Sequence, residues 1–243
     1  MQFPNQFMWG VATSAYQIEG STKSAGRGTS IWDTFGERPY QIAHQATGDP
    51  ACDHYQLWQQ DIDLLAHLNV RGYRFSISWP RILPQGTGQV NTVGLDFYDR
   101  LLDQLLANGI QPNVTLFHWD YPQALQERGG WAHPDSPAWF ADYAGVVFAR
   151  LADRVPLWAT LNEPWVFAQL GHHFGLHAPG LFNATTAYQV GHHLLLGHGQ
   201  AVQAFRQSSA SGQIGIVLNL PHLLPASDAP ADLDALARVR WDS

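Results

Sequence analysis

Residues Trp158-Ala159-Thr160-Leu161-Asn162-Glu163-Pro164-Trp165 read as a short apolar strand that stops on a polar Asn-Glu pair. Pro164 cannot donate to a sheet ladder, so the strand must end before it. In a parallel α/β architecture the carboxyl ends of strands are where reacting groups sit. A carboxyl group there, with an amide beside it and the rings of Trp158 and Trp165 on either side, suits acid chemistry on a sugar. The competing reading makes Glu163 only the cap of a following helix.

Two histidine clusters are the other residues with chemical potential: His172, His173 and His177, then His192, His193 and His198. No HExxH pairing occurs, and the second cluster points in several directions around a helix. They are expected to be loop and surface histidines, with no metal and no cofactor bound.

The elements that must position these groups alternate along the chain. Strands are predicted over Phe7 to Thr13, Gly72 to Ser78, Asn113 to Trp119, Leu157 to Asn162 and Ile214 to Leu220. Helices are predicted over Asp53 to Leu68, where Leu57, Asp61, Leu64, Leu65 and Leu68 recur at three or four, and over Leu95 to Ala107, with Gly109 as its C′ residue. Further helices are predicted over Pro137 to Leu151, Tyr188 to Gln207 and from Asp232 to Val239. Strand, helix, strand at these intervals means βαβ units and a parallel sheet. The segments Glu19 to Ala51 and Pro164 to Ala187 are longer than plain connectors, which marks them as functional loops.

Residues 1–243 therefore read as one α/β domain, an incomplete (β/α)₈ barrel covering about the first five βα units. A doubly wound sheet is the rival. It would prefer a glycine-rich phosphate loop after the first strand, and Gly10 and Gly20 fit no GxGxxG spacing. Closure of the barrel takes eight strands, so the first and fifth strands are expected to be open edges.

With 45% apolar and 14% charged residues the chain is globular and not disordered. Its net charge of −7 disfavours nucleic acid and anionic membranes. A single cysteine, Cys52, excludes an intrachain disulfide. No apolar run approaches the roughly 18 residues of a membrane span, and the first residues lack a signal-peptide pattern. The expected compartment is the cytoplasm.

Five segments, in this order, resemble the amino-terminal part of glycoside hydrolase family 1, the β-glucosidase family. They are Phe7 to Gly20 (FMWGVATSAYQIEG), Tyr73 to Ile82 (YRFSISWPRI), Thr115 to Asp120 (TLFHWD), Asn162 to Trp165 (NEPW) and His177 to Gly180 (HAPG). The resemblance implies a (β/α)₈ barrel that hydrolyses β-linked glucosides or galactosides with retention. It makes Glu163 the general acid/base and sets Asn162 on the sugar 2-hydroxyl. Gln17 and His118 would hold hydroxyls on the far side of the ring, and Arg74 would lie beneath it. Trp165 and Leu170 would line the aglycone entrance. Glutamate at 163, where the thioglucosidase branch has glutamine, implies O-glycosides. Taken without the resemblance, Gln17 reads first as a turn residue and His118 as a core histidine bonded to backbone, while Arg74 is also readable as a structural partner of a carboxylate.

A retaining glycosidase needs a second carboxylate as nucleophile. The family carries it in a Thr-Glu-Asn-Gly-like segment on the seventh strand, and these 243 residues contain none. The other glutamates, Glu19, Glu37 and Glu127, stand at no comparable strand end. The expectation is half of a catalytic pair, inactive until a complementary carboxyl-terminal half is supplied. Self-association of two half-barrels would give ten strands and fits closure poorly. The alternative is a non-catalytic sugar-binding or scaffold half-barrel.

Overall fold

The computed structural model describes residues 2–4, 6–208 and 210–242, the side chains of residues 240–242 excepted. Five parallel strands form one sheet in the order β1-β2-β3-β4-β5: β1 Gly10–Ala12, β2 Gly72–Ser76, β3 Gln111–Phe117, β4 Leu157–Asn162 and β5 Gln213–Val217. Short helices α1 (Ala15–Ile18), α2 (Ile31–Gly36) and the long α3 (His54–His67) follow β1. After β2 come α4 (Trp79–Ile82) and α5 (Thr92–Ala107); after β3, α6 (Gln123–Gln126) and α7 (Ser136–Leu151). The last two strands are followed by α8 (Pro164–Ala168) with α9 (Ala184–Gln207), and by α10 (Pro230–Asp242). Parallel neighbours need a crossover, and each crossover contains one long helix packed on the sheet.

The central strands are buried almost throughout, whereas β1 is exposed along its length and β5 at alternate residues. A parallel sheet is ordinarily covered on both faces. The buried middle and open margins are the expected five-unit arrangement. Under the β2–β3–β4 centre lies an aromatic core: Trp79 stacks on Tyr143 at 4.6 Å, and Phe117, Tyr121, Trp131 and Phe140 pack edgewise or tilted around it. Tyr143 can lie there because its hydroxyl donates to Leu116 O at 2.9 Å.

Several expected boundaries move. The first strand shrinks from Phe7–Thr13 to Gly10–Ala12, because only β2 pairs with it. The third shifts back from Asn113–Trp119 to Gln111–Phe117; Trp119 has φ +80, which no strand accommodates. The second and fifth end at Ser76 and Val217, short of Ser78 and Leu220, where their ladders to β3 and β4 run out. The helices after β2 and β4 begin earlier, at Thr92 and Ala184, the latter capped by Asn183 accepting from Thr186 N at 2.9 Å. The last helix begins at Pro230, ahead of Asp232. Gly109 is the left-handed residue one past the Asn108 cap.

On α3 most of the leucine stripe faces away from the core, with Leu65 alone packed against it. Leu57, Leu64 and Leu68 are 38%, 61% and 66% exposed, while Ile62 is fully buried with Tyr55 and Trp58 packed at its side. At the β1 margin, beside the strand edge, Phe3, Phe7 and Trp9 form an exposed cluster with ring centroids 4.6–4.9 Å apart. The stripe on α3 is apolar surface without a partner.

Replacing Leu64 by Lys should therefore change the stability of the chain by no more than about 0.5 kcal/mol. Ile62→Ala should cost about 2–5 kcal/mol. Urea unfolding of the two variants checks the assignment of the faces, and a large loss at Leu64 would reverse it.

Candidate active site

Strand β4 delivers Asn162 and then breaks. Glu163 adopts φ +49, ψ +63, a left-handed conformation that costs a non-glycine residue about 1–3 kcal/mol. Its amide donates to Val217 O at 2.8 Å, so the neighbouring strand holds it. Pro164 opens α8 at the first-turn position, where a missing N–H costs nothing. Glu163 follows the strand end as a half-buried carboxyl group and makes no side-chain cap on α8.

Three strands meet beneath it. Arg74 on β2 donates from Nε to Thr115 Oγ1 on β3 at 3.0 Å and from Nη2 to Asn162 Oδ1 on β4 at 2.6 Å. Trp119, also left-handed, donates from Nε1 to Asn162 O at 2.8 Å. Asn162 is thus held through both its backbone and its side chain. Burial lowers the pKa of Arg74, and the Glu163 carboxylate opposes that loss.

Next to this cluster, past the ends of β1 and β3, opens a cleft of about 490 Å³. Gln17 and His118 line it together with Trp119, Tyr16, Trp32 and His177. Gln17 Oε1 accepts from Ser14 Oγ at 2.7 Å, leaving its NH₂ unbonded. His118 is pushed down to about 4 by burial and by the charge of Arg74, so it is a neutral imidazole at ordinary pH. Trp32 and Trp119 flank the His177 ring at 5.5 and 5.4 Å, giving flat apolar walls to a pocket with polar corners. Of the sequence candidates, Arg74, Asn162 and Glu163 form one bonded or charge-coupled group, with Gln17 and His118 in the adjoining cleft.

Trp158 corrects an expectation. It is 4% exposed, bonds Val155 O through Nε1 and packs on Phe148 in the helix layer. It stands at the start of β4, too far back to flank Glu163. Trp165, on α8, is 44% exposed. Leu170 lies in a π-helical turn, Gln169–His173, whose Leu170 carbonyl accepts from Leu176 N and His177 N at 2.8 and 3.0 Å. The same turn approaches the 176–183 loop so closely that a Cβ on Gly171 would sit 2.6 Å from Ala178 O. Tyr16 and Trp32 were not singled out by residue type. Trp32 does lie in the overlong Glu19–Ala51 segment, which was the available signal.

That segment is built, not loose. Ser30 and Asp33 make a reciprocal capping box on α2, and Arg27 donates to Asp33 Oδ2 at 2.8 Å. The box fixes the turn that presents Trp32. Behind it, Arg81 Nε donates to Glu19 Oε2 at 2.9 Å and Tyr98 Oη to Glu19 Oε1 at 2.5 Å. Glu19 is fully occupied there, while Glu37 and Glu127 lie on the outer ends of α2 and α6. Four of the clustered histidines have protein partners: His172 with Phe167 O, His173 with Gln169, His193 with Trp131 O and His198 with Thr160. His172 is buried, not on the surface as expected, and His177 Nδ1 has no partner among the described residues. Among the described residues no group of three or more His, Cys, Asp or Glu is arranged to hold a metal ion. No helix among them is long and apolar enough to cross a membrane.

Asp120 is sealed in the interior, 1% exposed, and its carboxyl oxygens have no hydrogen-bond partner among the described residues. Burial pushes it up to about 8, so it keeps its proton at neutral pH, whereas an unfolded aspartate releases it near 3.8. Stability from this group is complete below about 4 and is lost as pH rises through 8. His118 and His172, both pushed down to about 4 by burial, act oppositely: stability falls as pH drops from 6.5 towards 4. These groups together place the stability maximum near 6.5. Asp120→Asn should remove the decline between pH 6.5 and 8, which is at most about 1.4 kcal/mol per pH unit. Urea unfolding at the two pH values measures it, and an unchanged slope would assign the decline to other groups.

With this geometry in place, comparison with known proteins is direct. The sequence profile of Glycosyl hydrolase family 1 matches residues 1–241. Beta-glucosidase A of Thermotoga maritima is 52% identical over 235 residues, 97% of this chain and 53% of that protein. Beta-glucosidase A of Acetivibrio thermocellus is 52% identical over 233 residues, covering 96% and 52%. The structure of the Thermotoga maritima β-glucosidase in complex with deoxynojirimycin superposes with a TM-score of 0.96 at 51% identity, over 98% of this chain and 54% of that one. The five-stranded parallel sheet is thus part of the barrel of a family 1 glycosidase, and the chain spans about half the length of the relatives it matches.

Proposed function

This chain belongs to glycosyl hydrolase family 1, and from that premise we propose that residues 1–243 are the acid/base half of a single-barrel retaining β-glycosidase acting on O-linked β-glucosides or β-galactosides. The observation that carries the reading is Glu163 at the carboxyl end of β4, directly after Asn162, whose carbonyl is bonded by Trp119 in the wall of the cleft that Gln17 and His118 line.

In this reading Glu163 gives its proton to the glycosidic oxygen as the bond to the leaving alcohol breaks, then takes a proton from the water that attacks the sugar. A positioned carboxyl group in that role contributes about 10²–10⁴ in rate. Asn162 donates to the 2-hydroxyl, an interaction that strengthens as the ring gains oxocarbenium character. Gln17 and neutral His118 exchange hydrogen bonds with hydroxyls on the opposite side of the ring. Trp165 and Leu170 border the outgoing alcohol.

Covalent attack at the anomeric carbon requires a carboxylate about 5–5.5 Å from the acid/base. Glu19 is engaged by Arg81 and Tyr98, and Asp120 is sealed in the interior, so neither supplies it. The nucleophile therefore comes from polypeptide outside these residues, a complementary carboxyl-terminal half bringing three further βα units to the open margins at β1 and β5. The relatives' twofold greater length supports that partner.

The test is an aryl β-glucoside assay of the chain alone and mixed with the carboxyl-terminal half of a family 1 relative. No turnover alone and turnover on mixing are expected, with Glu163→Gln lowering the restored activity by about 10²-fold or more. Turnover by the chain alone would overturn the divided pair. Sugar-dependent thermal stabilisation with no turnover in either sample would instead support a binding half-barrel.

A further inference from the structure

The donors beneath Asn162 have a consequence beyond binding. A guanidinium carries only N–H donors, so whichever atom of the Asn162 amide faces Arg74 must be the oxygen. At 2.6 Å the alternative orientation would set N–H against N–H. The amide is therefore locked with Oδ1 towards β2, and its Nδ2 is left as the donating end. The lock is two-pronged: Nε on Thr115 and Nη2 on Asn162 use one edge of the planar guanidinium, so Arg74 cannot rotate without breaking both bonds. Trp119 Nε1 on Asn162 O holds the backbone of the same residue.

We infer that Arg74 is a positioning residue: it fixes which end of the Asn162 amide meets the sugar, and so makes the site select a ligand with a hydroxyl, an acceptor, at carbon 2. The selection rests on the sugar-binding reading above; the lock itself does not. Lysine would keep the charge but not the fork, since a point donor cannot hold Thr115 and Asn162 along one rigid edge.

The experiment uses the full chain. The side-chain amide resonances of Asn162, identified by their loss in Asn162→Asp, are followed by NMR in the wild type, Arg74→Lys and Arg74→Met. The expected result is that both variants move the resonances towards those of a freely rotating asparagine and speed exchange with water. Thr115→Val, which removes only one prong, should move them part of the way, and it serves where the Arg74 variants do not fold. Unchanged resonances in Arg74→Lys would overturn the lock. Titration with D-glucose and 2-deoxy-D-glucose then tests what the lock is for. The wild type should prefer glucose about tenfold, the worth of one hydrogen bond, and Arg74→Lys should lose that ratio while retaining its affinity for the deoxy sugar. Equal binding of the two sugars by the wild type, or no binding of either, would overturn the selection and the sugar-binding reading, with the resonances still deciding the lock.

Discussion

Parallel register is the constraint on which the site depends. Arg74 pairs with Asn113, Thr115 with Ala159 and Phe117 with Leu161. Those alignments bring one guanidinium within reach of acceptors on two further strands. A slip of one residue in a strand would turn every side chain to the opposite face. Arg74 would then point into the helix layer, and Asn162 would lose the partner that orients it. The buried centre of the sheet guards against such a slip, because β3 and β4 are buried nearly throughout, with α5 packed on β3 and α9 on β4. Chemistry at the rim is therefore referred to packing below it.

The backbone at the rim is held under strain. Glu163 and Trp119 are both left-handed, neither is glycine, and they are joined through Asn162. Outliers of this kind persist where surrounding contacts over-determine them. Here those contacts are Val217 O on the Glu163 amide and Asn162 O on the Trp119 indole. The polar groups below are settled differently. Glu19 is matched by Arg81 and Tyr98, with the Arg81 guanidinium 4.1 Å above the Tyr55 ring, while Asp120 avoids an unpaired buried charge by staying protonated.

Much of this was legible in the sequence, and the illegible part has physical reasons. Alternation of strand-like and helix-like runs identified five βα units, and Pro164 located the end of β4. Period-two patterning could not say which face of the sheet Trp158 occupies, because a strand buried on both faces has no polar side to orient it. Nor did the leucine spacing on α3 show that Leu57, Leu64 and Leu68 face outward, since a three-four period marks a helix without saying which side of it meets the core. Ends of strands moved because pairing partners set them and local residue types do not. The cleft residues Gln17 and His118 were named through family resemblance; Trp32 was not, since its place depends on a capping box and an arginine that become neighbours only when the loop folds.

That loop has one more implication. The wall carrying Trp32 is anchored by Arg27, Ser30 and Asp33, and through the Ser30–Pro122 bridge to the segment after β3. Those fastenings belong to the first three βα units, and Arg38 adds one from the fourth by donating to Pro179 O at 2.9 Å. One wall of the cleft is thus complete before any further staves of a barrel are present, which separates building that wall from closing the barrel, both in the order of assembly and in the parts that natural variation can alter independently.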